Sequence, residues 1–262
     1  MERREFLMAA AAMAAAAPLG AAPAPAGIAL PGAINRAGRQ RMLSQRSAKA
    51  WLMSVLGVLP DRARSILDQT VTRFDLQLAD LKTQLPSDEV RTLLAQLESE
   101  WSRYRPLLGD IRSDPKAVWD GNEAVLGVAH KLTVAYEKAF GSPSGHLVAL
   151  AGRQRMLSQR MAKAYFFRQL NVNAGPAAEM LDQATKEFAK AQAELRGAAT
   201  NSPQINTELG LVDQQWFFFQ NALVLKEGVD PKRAAADVAT TSERILEQMD
   251  LVVGLYEKLA AR

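Results

Sequence analysis

Apolar residues recur at three- and four-residue intervals along the chain, and no segment shows the strict alternation of a strand. Ile66, Leu67, Val71, Phe74, Leu78 and Leu81 form one stripe, and Val90, Leu93, Leu94, Leu97 and Trp101 form another. Breakers punctuate the pattern at Leu59-Pro60, Leu85-Pro86-Ser87, Gly109 to Pro115 and Gly141 to Gly145. A second set follows at Asn171 to Pro176, Asn201-Ser202-Pro203 and Gly228 to Pro231. The spacing predicts an all-α protein whose helices have short connections.

The two sets of breakers reflect an internal repeat. Ala37 to Arg46 reads AGRQRMLSQR, and Ala151 to Arg160 reads the same. From Ala37 to Ala50 the two copies agree at 13 of 14 positions, differing only at Ser47 and Met161. The offset, 151 − 37 = 114, also aligns Leu67-Asp68-Gln69 with Leu181-Asp182-Gln183, and Phe74 with Phe188. Small insertions stretch it to 120 by the time Tyr136-Glu137-Lys138 meets Tyr256-Glu257-Lys258. This is a full-length duplication, and each copy holds four predicted helices. It predicts two tandem antiparallel four-helix bundles (residues 27–141 and 142–262), related by a pseudo-two-fold axis and packed through their first helices. The alternative keeps the helix count and merges both copies into one continuous core.

The repeated helix is unusual as plain core. Arg39, Arg41, Arg46 and Lys49 crowd it, and no acidic residue lies between Arg36 and Lys49. Helical spacing puts Ala37, Gly38, Arg41, Ser44, Gln45 and Ala48 on one side, and Ala151, Gly152, Arg155, Ser158, Gln159 and Ala162 on its counterpart. Small residues let another helix come close, so Arg41 and Arg155 would face each other across the seam. Two guanidiniums there repel and lose hydration unless an anion sits between them. Their planar donor forks suit a small oxyanion or carboxylate. Ser44, Ser158, Gln45 and Gln159 could add neutral donors. The competing reading leaves these arginines on a solvated face, or pairs them with acids such as Asp68, Asp75 or Asp182.

Composition narrows the chemistry. The 262 residues carry a net charge of +4 that is not gathered into a basic tail, which gives little reason to expect nucleic-acid binding. Cysteine is absent, which removes disulfides, thiolate metal sites and cysteine nucleophiles. The 2 histidines do not make a metal site: a di-iron bundle needs Glu-x-x-His pairs, but Gly127 and Pro143 precede His130 and His146 by three. No catalytic residue, metal or cofactor is expected, and both histidines read as surface or structural. Trp51, Trp101 and Tyr165 read as core. Trp216-Phe217-Phe218-Phe219 surrounds most of one turn, so that helix should be buried on more than one side.

The N-terminus reads as an export signal. MERREF precedes an alanine-rich stretch and A-x-A-like positions up to Ala26, and Arg3-Arg4 before Glu5-Phe6-Leu7 fits a twin-arginine signal, with an ordinary secretory signal as the alternative. Residues 1–26 are therefore set apart from the fold, and the remainder is expected in the periplasm. No later stretch has the roughly 18 consecutive apolar residues that span a bilayer.

The box AGRQRMLSQRMAKAY, with its sister AGRQRMLSQRSAKAW, resembles the first-helix motif of PilJ-type sensory domains, the periplasmic helical domains of type IV pilus chemotaxis transducers. It is also similar to the box of nitrate and nitrite sensor kinases of the NarX type. The resemblance is specific in the box and diffuse elsewhere. In the nitrate sensors a four-helix bundle dimerises through its first helix, and one box arginine from each subunit holds a nitrate on the axis. That arginine falls on Arg41 and Arg155. The resemblance implies a periplasmic ligand-binding protein for a small oxyanion, nitrate or nitrite, with Gly38, Gly152, Ser44, Ser158, Gln45 and Gln159 around it. Sensor kinases of this type are membrane-anchored and carry output modules, so this chain would act through a membrane sensor or transducer partner. A rival reading is a ligand-free interaction module that docks onto a transducer, a sensor kinase or a pilus component.

Overall fold

Proline and a short polar side chain set most helix starts. Ser87, Asp114, Ser142, Ser202 and Asp230 each accept a hydrogen bond from a backbone N–H of the following turn. Proline, with its fixed φ and no N–H to lose, stands at the first position of five helices. The computed structural model of the chain describes residues 28–224 and 230–262. The export-signal reading of residues 1–26 lies outside the described residues. The helices are α1 (Leu30–Val55), α2 (Pro60–Leu81), α3 (Asp88–Leu108), α4 (Pro115–Phe140), α5 (Pro143–Gln169), α6 (Ala174–Arg196), α7 (Pro203–Leu223) and α8 (Pro231–Ala260). No strand occurs among the described residues. The expected all-α class holds, with two four-helix repeats in tandem.

The two repeats meet through α1 and α5, the most extensive helix pairing in the molecule. Within the repeats α1 packs on α2 and α4, and α5 packs on α6 and α8, while α3 and α7 lie outside against α4 and α8. Buried side chains from both repeats form one continuous core, so the tandem and merged-core expectations describe the same object. Twenty of the 26 residues of α1 and eighteen of the 27 of α5 are buried. A helix covered on nearly all sides cannot be amphipathic, which is why polar residues in α1 and α5 must find partners indoors.

Those partners define the directions of the helices. Arg39 and Arg46 of α1 reach Asp250 and Glu243 of α8, and Arg155 and Gln159 of α5 reach Asp250 and Ser242. Rising numbers on α1 and on α5 both meet falling numbers on α8, so α1 and α5 run parallel. Each repeat fastens its own first pair of helices identically. Gln40 donates to the Phe74 carbonyl at 3.1 Å, and its counterpart Gln154 donates to the Phe188 carbonyl at 3.0 Å. Phe74 stacks on Trp101 and Phe188 on Trp216, at 3.8 and 4.3 Å between ring centres.

Two buried ion clusters lock the repeats together. Arg46 and Lys49 of the first repeat hold Glu243 of the second, with Lys49 Nζ 2.5 Å from the carboxylate. Symmetrically, Arg160 and Lys163 hold Glu123, with Lys163 Nζ again at 2.5 Å. Both lysines are fully buried. Burial pushes the ammoniums of Lys49 and Lys163 down to about 8, with the facing glutamates opposing the shift. Burial also works against the Glu243 carboxylate, but Lys49 and Arg46 outweigh it and hold its pKa at about 2.

The expectation that α7 is buried on more than one side is corrected. Trp216 and Phe219 point inward, three residues apart, whereas Phe217 and Phe218 are 63% and 56% exposed. The physical reason is position: α7 is an outer helix with α8 as its main neighbour, so one face suffices. Trp51, Trp101 and Tyr165 are core. His146, by contrast, bridges Glu137 and Glu194 at 2.8 and 2.9 Å near the surface. α8, long and amphipathic, is a member of the bundle. No helix is long and apolar enough to cross a membrane among the described residues.

The ion clusters give a direct test. Glu243→Ala leaves Arg46 and Lys49 buried with no counter-charge and is expected to cost about 3–5 kcal/mol in denaturant unfolding at neutral pH. Glu243 has a folded pKa below its ordinary 4.5. Its stabilising contribution is therefore present above pH 4.5 and lost as pH falls towards 2. The difference between wild type and variant should shrink over that window.

Candidate anion site

At the centre of the α1–α5 seam lie two glycines and two guanidiniums. A Cβ built on Gly38 would stand 3.3 Å from Arg41 Nη2 and 4.0 Å from Arg155 Nη2. One built on Gly152 would stand 3.4 Å from Arg155 Nη2 and 3.8 Å from Arg41 Nη2. Both guanidiniums therefore converge over both glycines, in near-symmetric fashion. The lack of a side chain at positions 38 and 152 makes the room. Arg41 is 3% exposed and Arg155 is fully buried.

The two arginines are not compensated alike. Arg155 Nη1 donates to Asp250 Oδ1 at 2.5 Å, and its Nη2 donates to Asn35 Oδ1 at 2.8 Å. Arg41 Nη2 donates to the Ala149 carbonyl at 3.1 Å, and its Nη1 lies 3.4 Å from His130 Nδ1. No carboxylate bridges to Arg41 among the described residues. Burial pushes the Arg41 guanidinium down to about 9, and the Arg153 and Arg155 charges push the same way. Burial and Arg39 also lower Arg155, but Asp250 opposes them. Of the acids expected as alternative partners, Asp75 holds Trp101 and Arg105, and Asp182 holds Lys186. The acid that Arg155 meets is Asp250, on a helix whose distance in sequence hid the pairing.

The neutral donors of the box turn to the protein. The Ser44 and Ser158 hydroxyls donate to the carbonyls of Arg41 and Arg155, each at 2.8 Å. The Gln45 amide donates to Asn122 Oδ1, and the Gln159 amide donates to the Ser242 carbonyl, each at 2.8 Å. Gln45 Oε1 and Gln159 Oε1 are buried without a partner, as are Arg41 Nε and Arg155 Nε. Such atoms cost stability, and they cluster along this seam. Ser44, Ser158, Gln45 and Gln159 thus hold the shape of the two helices, with Gly38, Gly152, Arg41 and Arg155 between them.

His130, a surface or structural histidine by sequence, is brought to the site by the structure. It is exposed at the rim, with its ring facing Arg41. Burial of part of the ring, then the charges of Arg41 and Arg153, lower its pKa below 6.5. Beside it a cavity of about 240 Å³ opens, bounded by Arg41, His130, Arg153, Met156, Leu157 and Glu187 among others. The only sequence signal for His130 was its alignment with Asp250, at the 120-residue offset of the last helices.

Fold and site together define a duplicated helical domain with a charged seam between its two repeats. The chain belongs to the PilJ family, described as the type IV pili methyl-accepting chemotaxis transducer N-terminal domain, whose model matches residues 31–125 and 141–241. Each match spans one copy of the arginine-rich box. Searches of curated proteins and of solved structures return no match.

An uncompensated buried cation should weaken the ligand-free protein. Arg41→Met is expected to raise stability by roughly 1–4 kcal/mol in denaturant unfolding without added anion. Loss of stability instead would mean that the Ala149 and His130 contacts outweigh the burial of the charge.

Proposed function

We propose that this chain is a periplasmic sensor-type binding protein that takes a small planar oxyanion, nitrate or nitrite, between α1 and α5. The observation that carries the reading is the convergence of Arg41 and Arg155 over Gly38 and Gly152, with no carboxylate bridging to Arg41 among the described residues. A planar anion there would accept from the donor forks of both arginines and relieve their repulsion. Membership in a transducer family supports a sensory role. Export through the twin-arginine route would deliver the folded bundle to the periplasm, where a membrane sensor or transducer reads its state.

Binding at the seam would act on the contact between the two repeats. Arg41 already bonds the backbone of α5, and Arg155 bonds that of α1. An anion drawn between them would change how tightly the parallel helices approach, which is a signal that a docked partner can sense. The rival reading, a ligand-free module that docks on such a partner, draws support from the exposed Phe217–Phe218 pair on α7.

Thermal unfolding against nitrate, nitrite, sulfate, chloride and acetate separates the two. A ligand at a hundred times its Kd stabilises the folded state by roughly 2.7 kcal/mol. Nitrate or nitrite should raise the midpoint, and Arg41→Ala and Arg155→Ala should each abolish the rise. Equal midpoints in all salts would favour the docking module.

A further inference from the structure

The duplication carries its own comparison for the cavity beside His130. In the second repeat, Asp250 Oδ1 receives Arg155 Nη1 from its own repeat at 2.5 Å and Arg39 Nη2 from the other repeat at 3.1 Å. Under the 114-residue offset of the boxes, Arg155 corresponds to Arg41 and Arg39 to Arg153. Under the 120-residue offset of the last helices, Asp250 corresponds to His130. The first repeat therefore presents the same two converging arginines with an imidazole where the carboxylate stands. The correspondence is spatial as well as sequential, because Arg41 Nη1 faces His130 as Arg155 Nη1 faces Asp250.

A cavity occupies this place in the first repeat. Arg41, His130, Arg153 and Arg160 line its polar side together with Glu187 and Glu123, which Arg153 and Arg160 hold, and Leu126, Met156 and Leu157 line an apolar side. Arg41 is almost wholly buried, has no carboxylate partner among the described residues, and keeps its Nε unpaired. Arg153 bonds Glu187 through Nη2 at 2.6 Å and is half-buried at the cavity wall. With about 240 Å³, the space suits a ligand of a few heavy atoms rather than a drug-sized one.

We infer that the cavity is a binding site for a small organic monocarboxylate, whose carboxylate takes at Arg41 and Arg153 the place that the Asp250 side chain takes at Arg155 and Arg39. The short alkyl part of the ligand lies against Leu126, Met156 and Leu157. The second half-site is closed by its own tethered carboxylate, and the first is open to an external one. This site is distinct from the seam between the glycines: it lies on the His130 side of Arg41 and uses Arg153, which the seam does not.

Isothermal titration of the purified chain with acetate, propionate and butyrate, at constant ionic strength in chloride, tests the inference. One equivalent of propionate should bind, and Arg153→Gln should weaken it at least tenfold while leaving the nitrate response of the seam in place. His130→Asp should supply the missing carboxylate from within and abolish propionate binding, with a circular-dichroism melt showing an intact fold. Asp250→His, the reciprocal change, should open the second half-site and raise the stoichiometry to two. Absence of propionate binding to the wild type, or binding unchanged by His130→Asp, would overturn the inference. Either result leaves the nitrate reading standing, and failure of nitrate with success of propionate leaves the cavity standing.

Discussion

The structure is organised around the burial of positive charge. Two parallel helices carry arginines and lysines into the middle of the molecule, where water cannot solvate them, so each cation must find an anion or a carbonyl. Arg46 and Lys49 find Glu243, and Arg160 and Lys163 find Glu123. Every one of these pairs crosses from one repeat to the other. The charges that make α1 and α5 costly to bury are thus the same ones that prevent the repeats from separating. The aliphatic core adds area, but the ion clusters fix which helices meet and in what register.

Arg41, buried with no carboxylate partner among the described residues, marks the candidate site. The pseudo-symmetry extends to carbonyl contacts, glycine spacing and the glutamine bonds to α2 and α6, yet it breaks at His130 and Asp250. A duplicated chain can diverge in one half while the other preserves the fold, whereas a homodimer must change both subunits at once. Here the second half closes its arginine with Asp250, whereas among the described residues the first half offers Arg41 the His130 ring instead. The chain thereby carries a built-in reference state for its own open half.

The helices were legible in the sequence because their starts are marked by Pro and by Ser or Asp caps, and the breaks fall where the helices end. The duplication was legible from the box alone, and the burial of Gly38, Arg41, Gly152 and Arg155 followed from their shared face. The partners of the charges were hidden. Asp250 lies 95 residues from Arg155, and Glu243 lies 197 from Arg46, on a helix whose acidic positions look like any solvated stripe. The outward turn of Phe217 and Phe218 was hidden too, because a run of aromatics does not say how many neighbours its helix will have. His130 looked inert since a lone histidine carries no motif; only its alignment with Asp250 gives it meaning.

The most direct test of the account is a crystal structure of the chain grown in nitrate. The account predicts one planar anion over Gly38 and Gly152, within hydrogen-bond distance of Arg41, with the Arg155–Asp250 pair retained or loosened beside it. A seam with no anion there, and with Arg41 still facing only Ala149 and His130, would contradict it.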